Sequence, residues 1–200
     1  MQKAFIYFFI LCSSLLPIQA SGEASAFVEV VVKEALGIVN KNGMSNDAKR
    51  KELSECINKY LDIERITQSV FAPLGYKDLK DPADKNKLKA YLKKYLVGFY
   101  GGEGKLSMMV GAKLADSPTA EARNGDFAVS TKFTKDGGTT KIVWVTDGKL
   151  IFYVELADIN QIITLRSEMS AKVQKAIDAE VIKAGLAKEE QLSQWIKLQD

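Results

Sequence analysis

An α+β fold, with helices packed on one face of a curved sheet of about four antiparallel strands, is predicted by three features of this sequence. Apolar residues recur at helical spacing from Ala24 to Phe99, the period drops to two after Gly101-Gly102-Glu103-Gly104, and it becomes helical again from Ile159 onward. Asp136-Gly137 and Asp147-Gly148 punctuate the alternating stretch as hairpin turns. Helices, then a meander, then helices describe an antiparallel sheet covered on one side.

The first segment stands outside that fold. Met1-Gln2-Lys3 precedes an apolar run from Ala4 to Leu16, and Pro17-Ile18-Gln19-Ala20 follows before the chain turns polar. A single charge, a run shorter than the ~20 residues of a bilayer span and small residues at its end are the marks of a secretory signal peptide. Pro17 is expected to end its helix, and cleavage to follow Ala20, with Ala24 as a second position. Residues 1–20 are therefore read as a leader and residues 21–200 as one exported domain. Cys12 would suggest a lipid anchor, but Leu11 stands where lipid attachment requires a small residue. No later stretch approaches the length of a membrane span.

From Ala24 to Asn40 the apolar stripe of Phe27, Val28, Val31, Val32, Ala35, Leu36 and Val39 is wider than a surface helix needs, which predicts burial on more than one side. Gly43 ends this helix. Ser45 or Asn46 caps the next, with Lys49-Arg50-Lys51 facing water and Leu53, Cys56, Ile57 and Tyr60 facing inward. That helix is expected to continue through Asp62, Ile63, Ile66 and Val70 and to break near Pro73 and Gly75. Asp81-Pro82 places a capping carboxylate before a proline at the first helical position. Leu88, Tyr91, Leu92, Tyr95, Leu96 and Phe99 then mark the clearest amphipathic helix, whose other face carries Lys85, Lys87, Lys89, Lys93 and Lys94 as a solvated surface.

Four strands are expected next. Lys105 to Leu114 forms the first, and Phe127, Val129, Thr131 and Phe133 alternate with polar or small residues in the second. Thr139 to Thr146 carries Ile142 and Trp144 on one face, and Lys149 to Leu156 completes the meander. Ile159, Ile162 and Ile163 open a helix running through Met169, Val173 and Ile177, and a last short helix carries Leu192, Trp195 and Ile196.

Composition removes whole classes of chemistry. The chain has no histidine, so it lacks the commonest neutral-pH base and the commonest zinc ligand. Serine and cysteine hydrolase triads lose their middle member, and the acidic residues show no calcium-loop spacing. Gly101-Gly102-Glu103-Gly104 lacks the Lys-Ser/Thr that a phosphate loop requires. Beyond the leader Cys56 is the sole cysteine, so no internal disulfide forms there, and its neighbours make it a small core residue. With Lys3 removed, 25 acidic residues leave a net charge of +2, too mild to indicate nucleic acid as a partner but compatible with anionic headgroups. No cofactor and no metal is expected. A carboxylate such as Asp158 or Glu155 acting alone is the remaining route to catalysis.

Several local strings in this order resemble the MlaC family, also called the toluene-tolerance auxiliary family, of periplasmic phospholipid-binding proteins. They are Leu61-Asp62-Ile63 through Ile66 with Val70-Phe71 and Leu74-Gly75, then Tyr95-Leu96 with Tyr100, then Val154 through Ile159 followed by Thr164-Leu165-Arg166-Ser167-Glu168-Met169. The chain departs from the family where Glu-Gly-Val-Ser is usual, having Ala157, Asp158, Ile159 and Asn160, and Tyr153 stands in place of the usual strand aspartate. The resemblance implies a cone related to the NTF2-like fold with an apolar pocket between sheet and helices. It implies a single lipid-binding domain that is no enzyme, acting as a monomeric periplasmic shuttle between an outer-membrane lipoprotein complex and an inner-membrane ABC transporter, with phospholipid as cargo. A hopanoid-associated carrier of the same family, an NTF2-like periplasmic enzyme and an exported interaction protein are the alternatives.

A carrier must replace the bilayer for its cargo. An acyl chain of about fifteen methylenes is held in the membrane by roughly 12 kcal/mol at ~0.8 kcal/mol per CH₂. Candidate pocket residues are Val32, Leu36, Val70, Phe71, Leu74, Tyr95, Phe99, Met108, Phe127, Val129, Phe133, Ile142, Trp144, Leu150, Phe152, Ile159 and Ile163. Left empty, a cavity of ~800 Å³ would cost on the order of 19 kcal/mol, more than a domain's ~5–15 kcal/mol of stability. Such a protein is expected to keep its lipid or to collapse when stripped of it.

Overall fold

The computed structural model describes the backbone of residues 2–100 and 109–199 and the side chains of residues 20–99 and 109–199. Its first helix, α1, spans Gln2–Val39 and runs through Pro17 instead of ending there. A proline removes one hydrogen bond from the ladder, and the helix resumes on either side. Within the described part, Ala24, Val28, Val31, Val32, Ile38 and Val39 are buried, and all but Val39 divide between two clusters, Ala24, Val28 and Val32 with Val129, and Val31 and Ile38 with Cys56, Tyr60 and Ile151, as the width of the apolar face predicts.

Helix α2 (Asn46–Tyr60) starts at Ser45, whose Oγ accepts from the Ala48 amide at 3.3 Å. The expected continuation into Val70 is interrupted. Asp62 leaves the helix, donates its amide to the Ile151 carbonyl at 2.9 Å and caps α3 (Ile63–Phe71) by accepting from the Arg65 amide at 2.9 Å. A short polar side chain that can satisfy a new N-terminus thus competes successfully with helix continuation. Two 3₁₀ turns, Ala72–Leu74 and Tyr76–Asp78, flank Gly75 at φ 86°. A Cβ there would lie 2.7 Å from the Glu189 amide nitrogen, so both backbone angle and space restrict this position to glycine.

Helix α4 (Pro82–Tyr100) begins at the Asp81 carboxylate, which accepts from the Ala83 amide at 2.8 Å. Its apolar face divides in two. Leu88, Leu92 and Leu96 are buried, whereas Tyr91, Tyr95 and Phe99 form a half-buried ladder of stacked rings 6.4 and 6.1 Å apart. Helix α5 (Gln161–Asp178) is capped by Asn160, and α6 (Lys188–Lys197) closes the fold by burying Leu192, Trp195 and Ile196. Together α3, α4, α5 and α6 enclose one helical core around Val70, Phe71, Leu88, Leu92, Met169 and Trp195.

The described residues contain six strands instead of the expected four, all paired antiparallel in one open, curled sheet. They are β1 (Lys113–Leu114), β2 (Thr119–Arg123), β3 (Asp126–Lys135), β4 (Gly138–Thr146), β5 (Ile151–Leu156) and β6 (Ile159–Asn160). The order is β1-β3-β4-β5-β6, with β2 also pairing β3. The strand expected over Lys105 to Leu114 survives only as β1; Met109 to Ala112 form a turn and residues 105–108 lie outside the described residues. Ile159 belongs to β6, not to the following helix, because Asn160 takes the N-cap.

Hairpin chemistry sets the register. Asn124-Gly125 (φ 52° and 85°) joins β2 to β3 and Asp136-Gly137 (φ 49° and 79°) joins β3 to β4, two-residue turns whose left-handed angles match the twist of the strands. Ala157-Asp158 (φ 50° and 62°) joins β5 to β6 with no glycine at all. Between β4 and β5 the Asp147 carboxylate accepts the Lys149 and Leu150 amides, each at 2.8 Å.

Candidate functional site

Directly paired residues of an antiparallel sheet share a face, so the register identifies the side that α1 covers. Val129 pairs with Trp144 and Ala120, Phe127 with Ala122, and Trp144 with Val154. On this inner face Ala24, Val28 and Val32 of α1 and Val129 of β3 are buried together, ringed by Phe27, Leu36, Leu114, Ala120, Phe127, Phe133 and Trp144, all partly buried. A neighbouring cluster joins Val31 and Ile38 to Cys56, Tyr60 and Ile151, and it shares Phe27 and Trp144 with the first. The seam therefore brings together the predicted residues Val32, Leu36, Phe127, Val129, Phe133 and Trp144. Ile142, paired with Thr131, extends the same face.

Other predicted pocket residues lie elsewhere. Val70, Phe71, Leu74 and Tyr95 belong to the helical core, and Phe99 stacks on Tyr95. Phe152 joins them because the β4–β5 register shifts after Val145: Val145 pairs with Tyr153 and Thr146 with Ile151, which leaves Phe152 without a partner on β4. Phe152 and Tyr153 then both pack on the helical core, their rings 5.1 Å apart. Leu150 sits in the β4–β5 turn, half-buried. Ile159 and Ile163 are 56% and 58% exposed, one in β6 and the other in the first turn of α5, so neither lines an interior site. Met108 lies outside the described residues.

Sequence reasoning missed Ala120 and Leu114, which close one side of the seam, and with Ala120 the whole of β2. The signal was Asn124-Gly125, a strong hairpin dipeptide that places a strand before Phe127.

The seam's polar content is small and satisfied. Thr131 is 2% exposed; its Oγ1 accepts from Trp144 Nε1 at 2.8 Å and donates to the Ile142 carbonyl at 3.2 Å. Charged groups stand at its margins. Glu34 accepts from Tyr60 Oη at 2.5 Å, Lys59 Nζ at 3.1 Å and Cys56 Sγ at 3.4 Å, and the Tyr60 and Lys59 bonds hold its carboxyl below the usual range. Burial, with Glu34 alongside, pushes the Cys56 thiol up to about 11. On the helical side Arg65 binds Asp126 through two bonds of 2.9 and 2.5 Å and lies 4.0 Å over the Phe152 ring.

Two hollows lie away from this seam. One, of about 430 Å³, runs between α4 and α6 past Tyr91, Tyr95 and Trp195 with Lys87 and Lys94 at its rim. The other, of about 270 Å³, opens on the sheet beside Thr139, Lys141, Glu155 and Asp158. Of the carboxylates there, Glu155 is engaged by Arg123 at 3.0 Å and Asp158 stands exposed on the β5–β6 hairpin. The described residues hold no cluster of three or more potential metal ligands and no helix long and apolar enough to cross a membrane. What the inner face offers chemically is hydrocarbon contact.

The same fold occurs in a solved structure, a phospholipid-binding protein from Ralstonia solanacearum in complex with a phospholipid. That protein is 14% identical in sequence, superimposes with a TM-score of 0.64, and the match covers 88% of this chain and 96% of the other. No curated protein matches the chain in sequence. The family model described as MlaC protein matches residues 29–188, from the buried stripe of α1 to the start of α6, and the chain belongs to the MlaC family.

Proposed function

We propose that this chain is a periplasmic lipid carrier that holds phospholipid acyl chains against the inner face of its sheet and moves them between the outer and inner membranes. The observation that carries this reading is the seam between α1 and the sheet. Phe27, Leu36, Phe127, Phe133 and Trp144 surround its buried centre, yet all remain only partly buried. An ordinary core closes over side chains of this size, each worth about 1.5–3 kcal/mol when fully buried. A face that leaves them half-covered, and whose buried hydroxyls, those of Thr131 and Thr146, are both hydrogen-bonded, is suited to accept fatty tails.

Family membership and the phospholipid bound by the Ralstonia protein support the same cargo. The leader-like residues 1–20 support export. A binding role fits a seam built around aliphatic and aromatic side chains in a chain without histidine. An inner-membrane ABC transporter complex and an outer-membrane lipoprotein complex are the partners this role requires.

The test is to purify the exported protein, extract it with organic solvent and identify what is released by mass spectrometry. A two-chain phospholipid near one per protein is the expected result. A hopanoid in the extract would change the cargo and keep the carrier. Protein that releases no lipid, and whose melting temperature is the same before and after extraction, would sink the reading.

A further inference from the structure

The apolar inner face continues past the cover of α1 and out to the surface. Thr131 pairs with Ile142, Ile142 with Leu156, and Leu156 with Ile159, so these four side chains form one row across β3, β4, β5 and β6 on the same side of the sheet. Exposure rises along the row, from 2% at Thr131 through half-buried Ile142 to 40% at Leu156 and 56% at Ile159. Ile163, in the first turn of α5 just beyond the Asn160 cap, is 58% exposed. Single exposed aliphatic residues are commonplace on proteins, but three large ones within so short a stretch are not.

We propose that Leu156, Ile159 and Ile163 form an apolar lip that seats on a phospholipid bilayer and gives acyl chains a continuous hydrocarbon path onto the inner face. The proposal builds on the carrier reading and adds the place where membrane and protein meet. Three observations favour a bilayer as the occupant. First, the lip sits on a two-residue hairpin, Ala157-Asp158, and has the form of a projection, not of a groove that would receive a peptide. Second, its side chains are aliphatic only, whereas the anchors that dominate protein interfaces are mostly Trp, Tyr and Arg. Third, the row is unbroken, so a chain following it need not cross water. Lys141, on the opposite face of the sheet, and Asp158 border the same shallow hollow and offset one another in charge, so apolar insertion rather than net charge must supply the attraction.

The experiment is flotation of the purified exported protein with vesicles of phosphatidylethanolamine and phosphatidylglycerol. It compares wild type with the double variant Ile159→Asn/Ile163→Asn and with Val181→Asn. Val181 is also 56% exposed but lies beyond the opposite end of α5, about 27 Å along the helix axis. The double variant is expected to lower the vesicle-bound fraction about tenfold and Val181→Asn to leave it unchanged. Wild type that remains in the soluble fraction, or a double variant that floats as wild type does, overturns the lip. Lipid extracted from each purified protein is measured in parallel. Wild type that carries lipid but ignores vesicles refutes the lip alone, and wild type without lipid refutes the carrier reading itself.

Discussion

Trp144 and Thr131 are joined across two strands by a hydrogen bond of 2.8 Å from the indole N–H to the threonine hydroxyl, on a face dominated by aliphatic and aromatic side chains. The bond lets a large aromatic ring lie on the apolar face without an unpaired donor. Thr131→Val keeps the shape and removes the acceptor. It is expected to destabilise the protein by about 1–3 kcal/mol, the cost of a stranded buried donor. Urea unfolding gives the energy, and a shift in Trp144 emission reports the altered surroundings, read in a Trp195→Phe background to remove the second indole.

Much of this arrangement was legible in the sequence. The α1 stripe, the Asp81 cap and the alternation through Phe127, Val129, Thr131 and Phe133 all act locally, within one turn or one strand, and so leave a periodic trace. The split of the pocket candidates left no such trace. Whether Phe152 faces α1 or the helical core depends on a register shift set by the neighbouring strand, and the division of α4 into a leucine stripe and an aromatic ladder depends on which helix lies against each. Asp62 illustrates a third case. Its signal was present, but a capping side chain and a helix-continuing pattern competed at the same position, and the Ile151 carbonyl decided between them.

Arg65 ties the helical layer to the sheet through Asp126 and Phe152. Arg65→Lys keeps the charge but loses the two-pronged geometry and the flat stacking surface. Because the Arg65 side chain is 41% exposed, screening reduces the expected loss to about 1 kcal/mol. A double-mutant cycle with Asp126→Asn should return a coupling energy of this order. A coupling indistinguishable from zero would mean that the pair is ornamental and the two layers are held by packing alone.

The hairpin at Ala157-Asp158 asks two residues with side chains to adopt left-handed angles, where Asn-Gly is preferred. Asp158→Gly removes one of the two steric costs and is expected to stabilise the domain by roughly 0.5–1 kcal/mol. Thermal unfolding should move upward by a few degrees, while vesicle flotation should not fall because Leu156 and Ile159 keep their places.

The acid limb of stability follows from the carboxylates at the margins. Glu34 is held below its ordinary value of 4.5 by Tyr60 and Lys59, and Glu64 is lowered likewise by Lys89 and Gln68. At Asp147 burial works upward, but amide bonds from the β4–β5 turn outweigh it and the net displacement is again downward, from 3.8. A group with a depressed folded value adds stability that is complete above its unfolded value and disappears as pH falls through the folded one. Stability should therefore be level near neutrality and decline once pH drops below about 4.5. Glu34→Gln removes one contributor, so its urea midpoint should fall less steeply over that window than wild type. Cys56 supplies an independent check on the same cluster. With its thiol raised to about 11 by burial and by Glu34, it stays protonated at pH 8, and a disulfide reagent should react with it only at the rate of unfolding. Immediate reaction in the native protein would show that the Glu34, Cys56 and Tyr60 cluster is open to solvent and that α1 does not hold its place over α2.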